Sequence, residues 1–143
     1  MERSILNSII GRTIKEMRVL SFFIDRKPVC NLIALYIRVD TGLWYKFTTS
    51  DGINIIELEK DEPLEINIEE IDDEFAYPIK KVDLHYINSK IESVKNYMYK
   101  NSIDEFNGFY VKLDENEGFS LFEEEGCLKI YNGIKMEDGY SLV

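Results

Sequence analysis

The sequence predicts an α+β fold that is mainly β, with two antiparallel meanders of three to four strands each and one or two short helices. Residues 32–58 and 109–131 both alternate apolar and polar side chains, which is the period of a strand with one buried face. In both stretches, acidic turns that contain glycine separate the strands. The aromatic residues are 9 Tyr, 8 Phe and 1 Trp, and Tyr and Phe are enriched in sheets.

A short helix is expected before the first strand. Four apolar residues recur there at helical spacing, namely Ile5, Leu6, Ile9 and Ile10. Gly11 follows at the position of a helix C-cap. Alternation begins at Thr13 and continues to Asp25, so we expect the first strand between these residues.

The alternation also predicts which side chains share a face of each meander. In the first meander, the residues expected to face the core are Ile33, Leu35, Ile37, Val39, Leu43, Tyr45 and Phe47. The residues expected on its opposite, outward face are Tyr36, Arg38, Trp44 and Lys46. In the second meander, the expected core residues are Phe109, Val111, Leu113, Leu128 and Ile130, and the outward residues are Tyr110, Lys112, Lys129 and Tyr131.

The chain reads as a single domain, residues 1–143, that contains two similar half-units. Residues 14–19 and 79–84 share their apolar positions and a basic residue, and each phrase stands upstream of a meander. The half-units are therefore residues 12–58 and 78–131, joined by an acidic segment over residues 59–77. True duplication and convergent strand chemistry both explain this likeness.

Two segments fit both a helix and a strand. Residues 64–75 alternate like a strand at first, yet their apolar residues also recur at helical intervals, and we favour a short strand followed by a loop. In residues 87–99 the apolar spacing is helical, and Ser89 with Glu92 forms a candidate capping box, whereas Tyr97 and Tyr99 suit a strand. There we favour a helix.

The cysteine pair and the N-terminus predict the compartment. Cys30 and Cys127 lie far apart in the sequence, and the N-terminal residues form no continuous apolar stretch like that of a signal peptide. No stretch approaches the roughly 20 apolar residues of a membrane-spanning helix. We therefore expect a soluble, cytoplasmic protein with two reduced thiols.

Charge is distributed unevenly along the chain. The formal net charge is -10, with +4 on residues 1–50 and -14 on residues 51–143, and residues 59–74 contain nine acidic residues against Lys60. A negative field repels the phosphates of nucleic acids and membranes, so neither is an expected partner. A basic protein would be attracted.

No pattern in the chain predicts catalysis, a metal or another cofactor. Residues 114–125 resemble a calcium loop, but Gly118 stands at position five, whereas the sharp bend needs glycine at position six. His85 is the single histidine, and no CxxC spacing accompanies it. A carboxylate-pair enzyme or a small-ligand-binding protein is the alternative, and a self-associating domain that dimerises through a sheet edge is another.

We predict a non-catalytic protein-binding module. The candidate partner-binding residues combine outward aromatic and basic side chains with two acidic runs: Tyr36, Arg38, Trp44, Lys46, Glu69, Glu70, Asp72, Asp73, Glu74, Glu123, Glu124 and Glu125.

In size, charge and strand style the chain resembles the small acidic immunity proteins of bacterial toxin systems. The acidic stretch over residues 59–74 and the strand phrases at residues 11–14 and 40–45 carry the resemblance. It implies a cytosolic protein that occludes a cognate basic toxin, with carboxylates that meet the basic active-site cleft and aromatic anchors at the contact.

Overall fold

A computed structural model describes residues 3–100, 105–135 and 137–143. These residues form one α-helix, α1 (Arg3–Ile9), and the following strands: β1 (Ile14–Ile24), β2 (Lys27–Val39), β3 (Trp44–Ser50), β4 (Ile53–Glu59), β5 (Phe75–Ala76), β6 (Ile79–Val82), β7 (Ile91–Tyr99), β8 (Phe106–Leu113), β9 (Gly118–Glu124), β10 (Cys127–Asn132) and β11 (Tyr140–Leu142).

The strands form two antiparallel sheets, each built on a meander of four consecutive strands. The first sheet has the order β4-β3-β2-β1, and both β5 and β6 pair with the free side of β1. The second sheet has the order β10-β9-β8-β7-β11. The prediction of a mainly β fold with two antiparallel meanders and a short helix is confirmed.

Three hairpin turns contain only two residues, and both residues of each turn have a positive φ. Asp25 and Arg26 connect β1 to β2 with φ of 47° and 64°, Asp51 precedes Gly52, and Glu125 precedes Gly126. Turns with this backbone match the right-handed twist of the flanking strands, which is why short acidic and glycine-containing phrases end these strands.

Helix α1 confirms the expected N-terminal helix. Its Ile9 is fully buried, and Ile5 and Leu6 pack against the same core. Gly11 follows the helix with φ of 85°, a left-handed conformation that glycine adopts without the steric cost of a Cβ atom.

The two sheets pack face to face around one apolar cluster. The rings of Phe47 in β3 and Phe109 in β8 meet edge to face, with their centroids 5.3 Å apart. Most of the predicted core residues are in this cluster, including Leu35, Ile37, Val39, Tyr45, Val111, Leu113 and Leu128.

Two predicted core positions in the first meander are wrong. Leu43 is 43% exposed because it lies in the turn between β2 and β3. Ile33 lies outside the core cluster, and Leu32 takes a core position in its place. The pairing of β1 with β2 shifts register between Leu20 and Phe22, which displaces the alternation of β2 at this point.

The two segments whose patterns fit both a helix and a strand, residues 64–75 and 87–99, differ from the structures that we favoured for them. The helix expected over residues 87–99 is wrong, because Ile91–Tyr99 is strand β7, paired with β8. Residues 64–75 contain no regular strand before β5; Ile66 forms an isolated bridge with Ile79, and Ile68–Glu70 is a single turn of 3-10 helix.

The repeated phrase at residues 79–84 belongs to the first sheet. Its strand β6 pairs with β1, from Met17 opposite Val82 to Leu20 opposite Ile79. The second sheet begins only at β7. The duplication of half-units stays a prediction.

The prediction of two free thiols is wrong. Cys30 in β2 and Cys127 in β10 form a disulfide; their Cα atoms are 5.4 Å apart, and the two residues are 97 positions apart in sequence. Sequence distance gave no hint of the pairing, because only the packing of the two sheets brings the two strands together. The bond joins the first sheet to the second.

Among the residues that the structure describes, no helix is both long and apolar enough to cross a lipid bilayer.

Candidate protein-binding surface

The predicted outward face of the first meander exists, but its two aromatic residues are covered. Tyr36 lies opposite Lys46, and Arg38 lies opposite Trp44, so the four side chains share one face of the sheet. Tyr36 is only 7% exposed and Trp44 only 5%. Neither ring is available to a partner in this conformation.

An acidic strap, defined here as residues 60–65, crosses this face. It leaves β4 at one edge of the sheet and reaches Ile66, which pairs with Ile79 of β6 at the opposite edge. The linker that we expected to present carboxylates to a partner therefore begins by covering its own sheet.

Arg18 of β1 anchors the strap. Its guanidinium donates hydrogen bonds to the Glu62 carboxylate at 3.0 Å and to the Pro63 carbonyl oxygen at 2.7 Å. It also donates to Glu16 at 2.6 Å and lies 4.6 Å from the centroid of the Trp44 ring. These contacts compensate the buried charge with carboxylates, a carbonyl oxygen and an aromatic face.

Burial by itself would lower the pKa of Arg18. The hydrogen bonds and charges of Glu16 and Glu62 outweigh that effect, and the pKa lies above its ordinary value. The cluster therefore holds a permanent cation under the strap, and its role is to fix the strap on the sheet.

The second predicted acidic run is partly engaged within the protein. Both oxygens of Glu124 accept from the Tyr131 hydroxyl at 2.6 Å, and Lys129 lies 3.4 Å from the same carboxylate. The bond from Tyr131 is the main reason why the pKa of Glu124 is lowered. Glu123 is half-buried, and Glu125 is exposed in the turn after β9.

The first predicted acidic run is more accessible. The Asp72 side chain is 99% exposed and lies 3.3 Å from Arg26. The backbone carbonyl of Glu74 accepts from the amide of Asp25 at 2.9 Å, which fixes residues 72–74 beside the turn between β1 and β2. Glu69 and Glu70 are exposed on the 3-10 turn.

The disulfide brings the two acidic runs to the same end of the molecule. Cys30 lies near the start of β2, just after the turn at Asp25, and Cys127 follows the turn at Glu125. We call this region the acidic end; its exposed carboxylates are Asp25, Asp51, Asp72, Asp73, Glu74 and Glu125.

Three aromatic residues that we did not predict as binding residues form a stack at the acidic end. The Phe22 ring stacks on Tyr77, with centroids 5.1 Å apart, and on Phe75, with centroids 6.3 Å apart. Phe75 is 54% exposed and Tyr77 is 51% exposed. We call these three residues the aromatic stack.

Sequence contained a weak signal for the stack. Residues 75–77 alternate aromatic and small side chains, which is the period of a short strand, but they lie in the segment that we interpreted as a linker. Phe22 lies opposite Cys30 in the sheet, so the stack is next to the disulfide that joins the two sheets.

A cavity of about 430 Å³ lies between residues 65–70 and the edge of the first sheet. Its lining mixes apolar and polar side chains, among them Phe23, Asn31, Ile66, Ile68 and Lys80. Within the described ranges, no group of three or more His, Cys, Asp or Glu side chains is placed to hold a metal ion.

Comparison with known proteins finds no family model that matches the chain, no similar curated protein and no similar solved structure.

Proposed function

We propose that this protein is a non-catalytic binding module for a basic protein partner, and that the partner docks on the acidic end. The observation that carries the proposal is the exposed aromatic stack next to Asp72, Asp73 and Glu74. Phe75 and Tyr77 expose about half of their surface, although large apolar side chains are usually covered.

The two components of this surface have different tasks in binding. Aromatic side chains at the centre of an interface supply most of its affinity, because they bury a large area with little loss of conformational entropy. The surrounding carboxylates attract a basic surface and accelerate its approach. The net charge of -10 strengthens this attraction and disfavours acidic partners.

The resemblance to immunity proteins gives the proposal its most specific form. In that form the acidic end occludes the basic active-site cleft of a cognate bacterial toxin, and the aromatic stack inserts as the anchor. A gene for a larger toxin-like protein next to the gene for this chain would support it. The cytoplasmic location expected from two free thiols loses that support with the disulfide, and the binding proposal does not depend on the compartment.

Affinity capture from the source cell with matched variants tests the proposal. The first variant combines Phe75→Ala with Tyr77→Ala, and the second reverses Asp72, Asp73 and Glu74 to Lys. The control reverses three exposed acids to Lys, Asp83 after β6 and Glu115 and Glu117 in the turn between β8 and β9, at the opposite end of β9 from Glu125. We expect a basic protein that the wild type and the control enrich and that both site variants lose. Equal recovery by all four proteins would contradict the proposal.

The cavity of about 430 Å³ supports one alternative, a small-ligand-binding protein. A ligand in this cavity would contact Lys80 and Asn31. Titration with a library of small organic acids and amides, followed through the backbone amide signals of these residues, tests it. Saturable shifts confined to the cavity would favour this alternative over protein binding.

A further inference from the structure

Strand β4 forms an open edge of the first sheet. It pairs with β3 from Ser50 opposite Ile53 to Trp44 opposite Glu59, and no other strand of the described chain pairs with it. In an antiparallel ladder, every second residue directs its amide and carbonyl away from the neighbouring strand. Because Ser50 and Ile53 close a two-residue turn as a hydrogen-bonded pair, Asn54, Ile56 and Leu58 direct these groups to the open edge.

A groove runs along this edge. It has a volume of about 630 Å³ and is lined by Ile5 of α1 and by residues 53–58 of β4. Ile53 is 57% exposed, Ile55 is 40% exposed and Leu58 is 45% exposed. Natural edge strands are usually protected against pairing with other chains by charges, proline or a covering loop, whereas the first half of β4 exposes Ile53 and Ile55.

Charge changes along the strand. Every second residue of β4 lies on the same face, and on one face these are Ile53, Ile55, Glu57 and Glu59. This face is therefore apolar near the start of the strand and acidic near its end. Among the described residues, no Lys or Arg nitrogen lies within 4.0 Å of the carboxylate of Glu57 or Glu59. Lys46 of β3 lies opposite Glu57 in the ladder, and its ammonium lies over the Tyr36 ring, 5.9 Å from the ring centroid. Neither carboxylate therefore has an ion-pair partner among the described residues, and both can meet cations from outside.

We propose that β4 accepts an extended segment of a partner protein as an additional antiparallel strand. The segment would place Lys or Arg opposite Glu59 and Glu57 and apolar residues opposite Ile55 and Ile53. Backbone hydrogen bonds with the open edge would provide affinity, and the change from basic to apolar residues would select the register. This inference concerns a surface other than the acidic end, and it stands or falls independently of the proposed function.

A second copy of the chain is a poorer occupant of the edge. Antiparallel pairing of two β4 strands about Ile56 would place Glu57 opposite Ile55 of the other copy and Glu59 opposite its Ile53. Each carboxylate would meet an apolar side chain, and two molecules of net charge -10 would be brought together.

Synthetic peptides test the proposal. The probe is Lys-Val-Lys-Thr-Val-Thr-Val with blocked ends, whose first and third residues would lie opposite Glu59 and Glu57. Two methylated forms of the probe are compared. The first is N-methylated at residues two, four and six, whose amides would face β4. The second, its control, is N-methylated at residues three, five and seven, whose amides would face solvent. Methylation of the edge that faces β4 should weaken binding at least about 10-fold relative to methylation of the other edge, because several backbone hydrogen bonds are lost.

Hydrogen exchange locates the bound peptide. The amides of Asn54, Ile56 and Leu58 should exchange rapidly in the free protein and become protected when the peptide binds. Equal affinity of the two methylated peptides, or no detectable binding of the unmodified peptide, would overturn the proposal. Protection of the three amides in a dimer of the free protein would also overturn it, because the edge would then be occupied by a second copy.

A charge exchange tests the register. Glu57→Lys with Glu59→Lys should weaken binding of the probe at least about 10-fold, and a peptide with Glu in place of its two Lys residues should recover binding to this variant. The matched control reverses Asp83 and Glu115 to Lys, which changes the net charge equally and should leave the affinity within about 2-fold. Equal losses in both variants would show that only net charge matters and would contradict the proposed pairing.

Discussion

The guanidinium carbon of Arg18 lies 4.6 Å from the centroid of the Trp44 ring, and both residues are buried. Arg18 also bonds to Glu16 on its own strand and to Glu62 in the strap. A single side chain thus connects the sheet, its one tryptophan and the segment that crosses it.

Removal of this cation should destabilise the protein strongly. Arg18→Met keeps much of the side-chain volume but leaves the largely buried Glu16 without its main partner, so we expect a loss of about 3 kcal/mol in the free energy of unfolding. Glu62→Gln, at a side chain that is 51% exposed, should cost less than about 1 kcal/mol. Chemical denaturation followed by Trp44 fluorescence measures both, and equal effects would contradict the role of Arg18 as the anchor.

The disulfide should contribute substantially to stability. Cys30→Ser with Cys127→Ser removes a cross-link between residues 97 positions apart, and we expect a loss of about 2–5 kcal/mol, mainly through a less restricted unfolded chain. Mass spectrometry after alkylation provides the direct check. The native protein should take up no alkyl group before reduction and two after it; labelling of both cysteines without reductant would contradict the bond.

Glu124 should make stability depend on acidic pH. Its pKa is lowered mainly by the hydrogen bond from Tyr131. The hydrogen bond therefore stabilises the fold at a pH above the pKa that Glu124 has in the unfolded chain. This stabilisation is lost as the pH falls through the lower pKa that Glu124 has in the folded protein. Tyr131→Phe should raise the pKa of Glu124, as followed by NMR titration of its carboxyl carbon. The stability difference between the two proteins should shrink below about pH 4. A difference that is the same at pH 7 and pH 3 would exclude this linkage.

Gly108 should tolerate no side chain. A Cβ atom at this position would collide with the carbonyl oxygen of Leu121 and lie 3.0 Å from the Cα atom of Phe122 in the neighbouring strand β9. Gly108→Ala should therefore destabilise the protein by about 1–3 kcal/mol, as measured by chemical denaturation. Lys112→Ala on the same strand, where the side chain makes only a surface ion pair, should cost less than about 1 kcal/mol. Equal stabilities of the two variants would show that β8 and β9 separate to admit a methyl group.

Much of the fold could be predicted from alternation and turns because these signals are local. The strands β1 to β4 and β8 to β10 follow the period of two, and acidic or glycine-containing turns separate them. Residues 91–99 show where local signals fail. Their apolar residues recur at helical spacing, but pairing with β8 and burial of Tyr97 stabilise a strand instead.

The candidate site depended on information that is not local. Trp44 and Tyr36 do lie on the outward face, yet both are buried. The strap that crosses this face is held by Arg18 from another strand, and no periodicity indicates this contact. The aromatic stack likewise combines Phe22 with residues more than fifty positions later. Sequence identified four of the six carboxylates of the acidic end, Asp72, Asp73, Glu74 and Glu125. The sheet pairing added Asp25 and Asp51 and identified the aromatic residues beside them.

The most direct test of the central claim is the association rate between this protein and its captured basic partner, measured over a range of ionic strengths. For the wild type we predict a rate that falls steeply as salt increases, because the acidic end attracts the partner. Reversal of Asp72, Asp73 and Glu74 to Lys should lower the rate at low salt at least about 10-fold and flatten its salt dependence, while reversal of Asp83, Glu115 and Glu117 should leave both much closer to the wild type. A rate and a salt dependence that are the same in both variants would contradict binding through the acidic end.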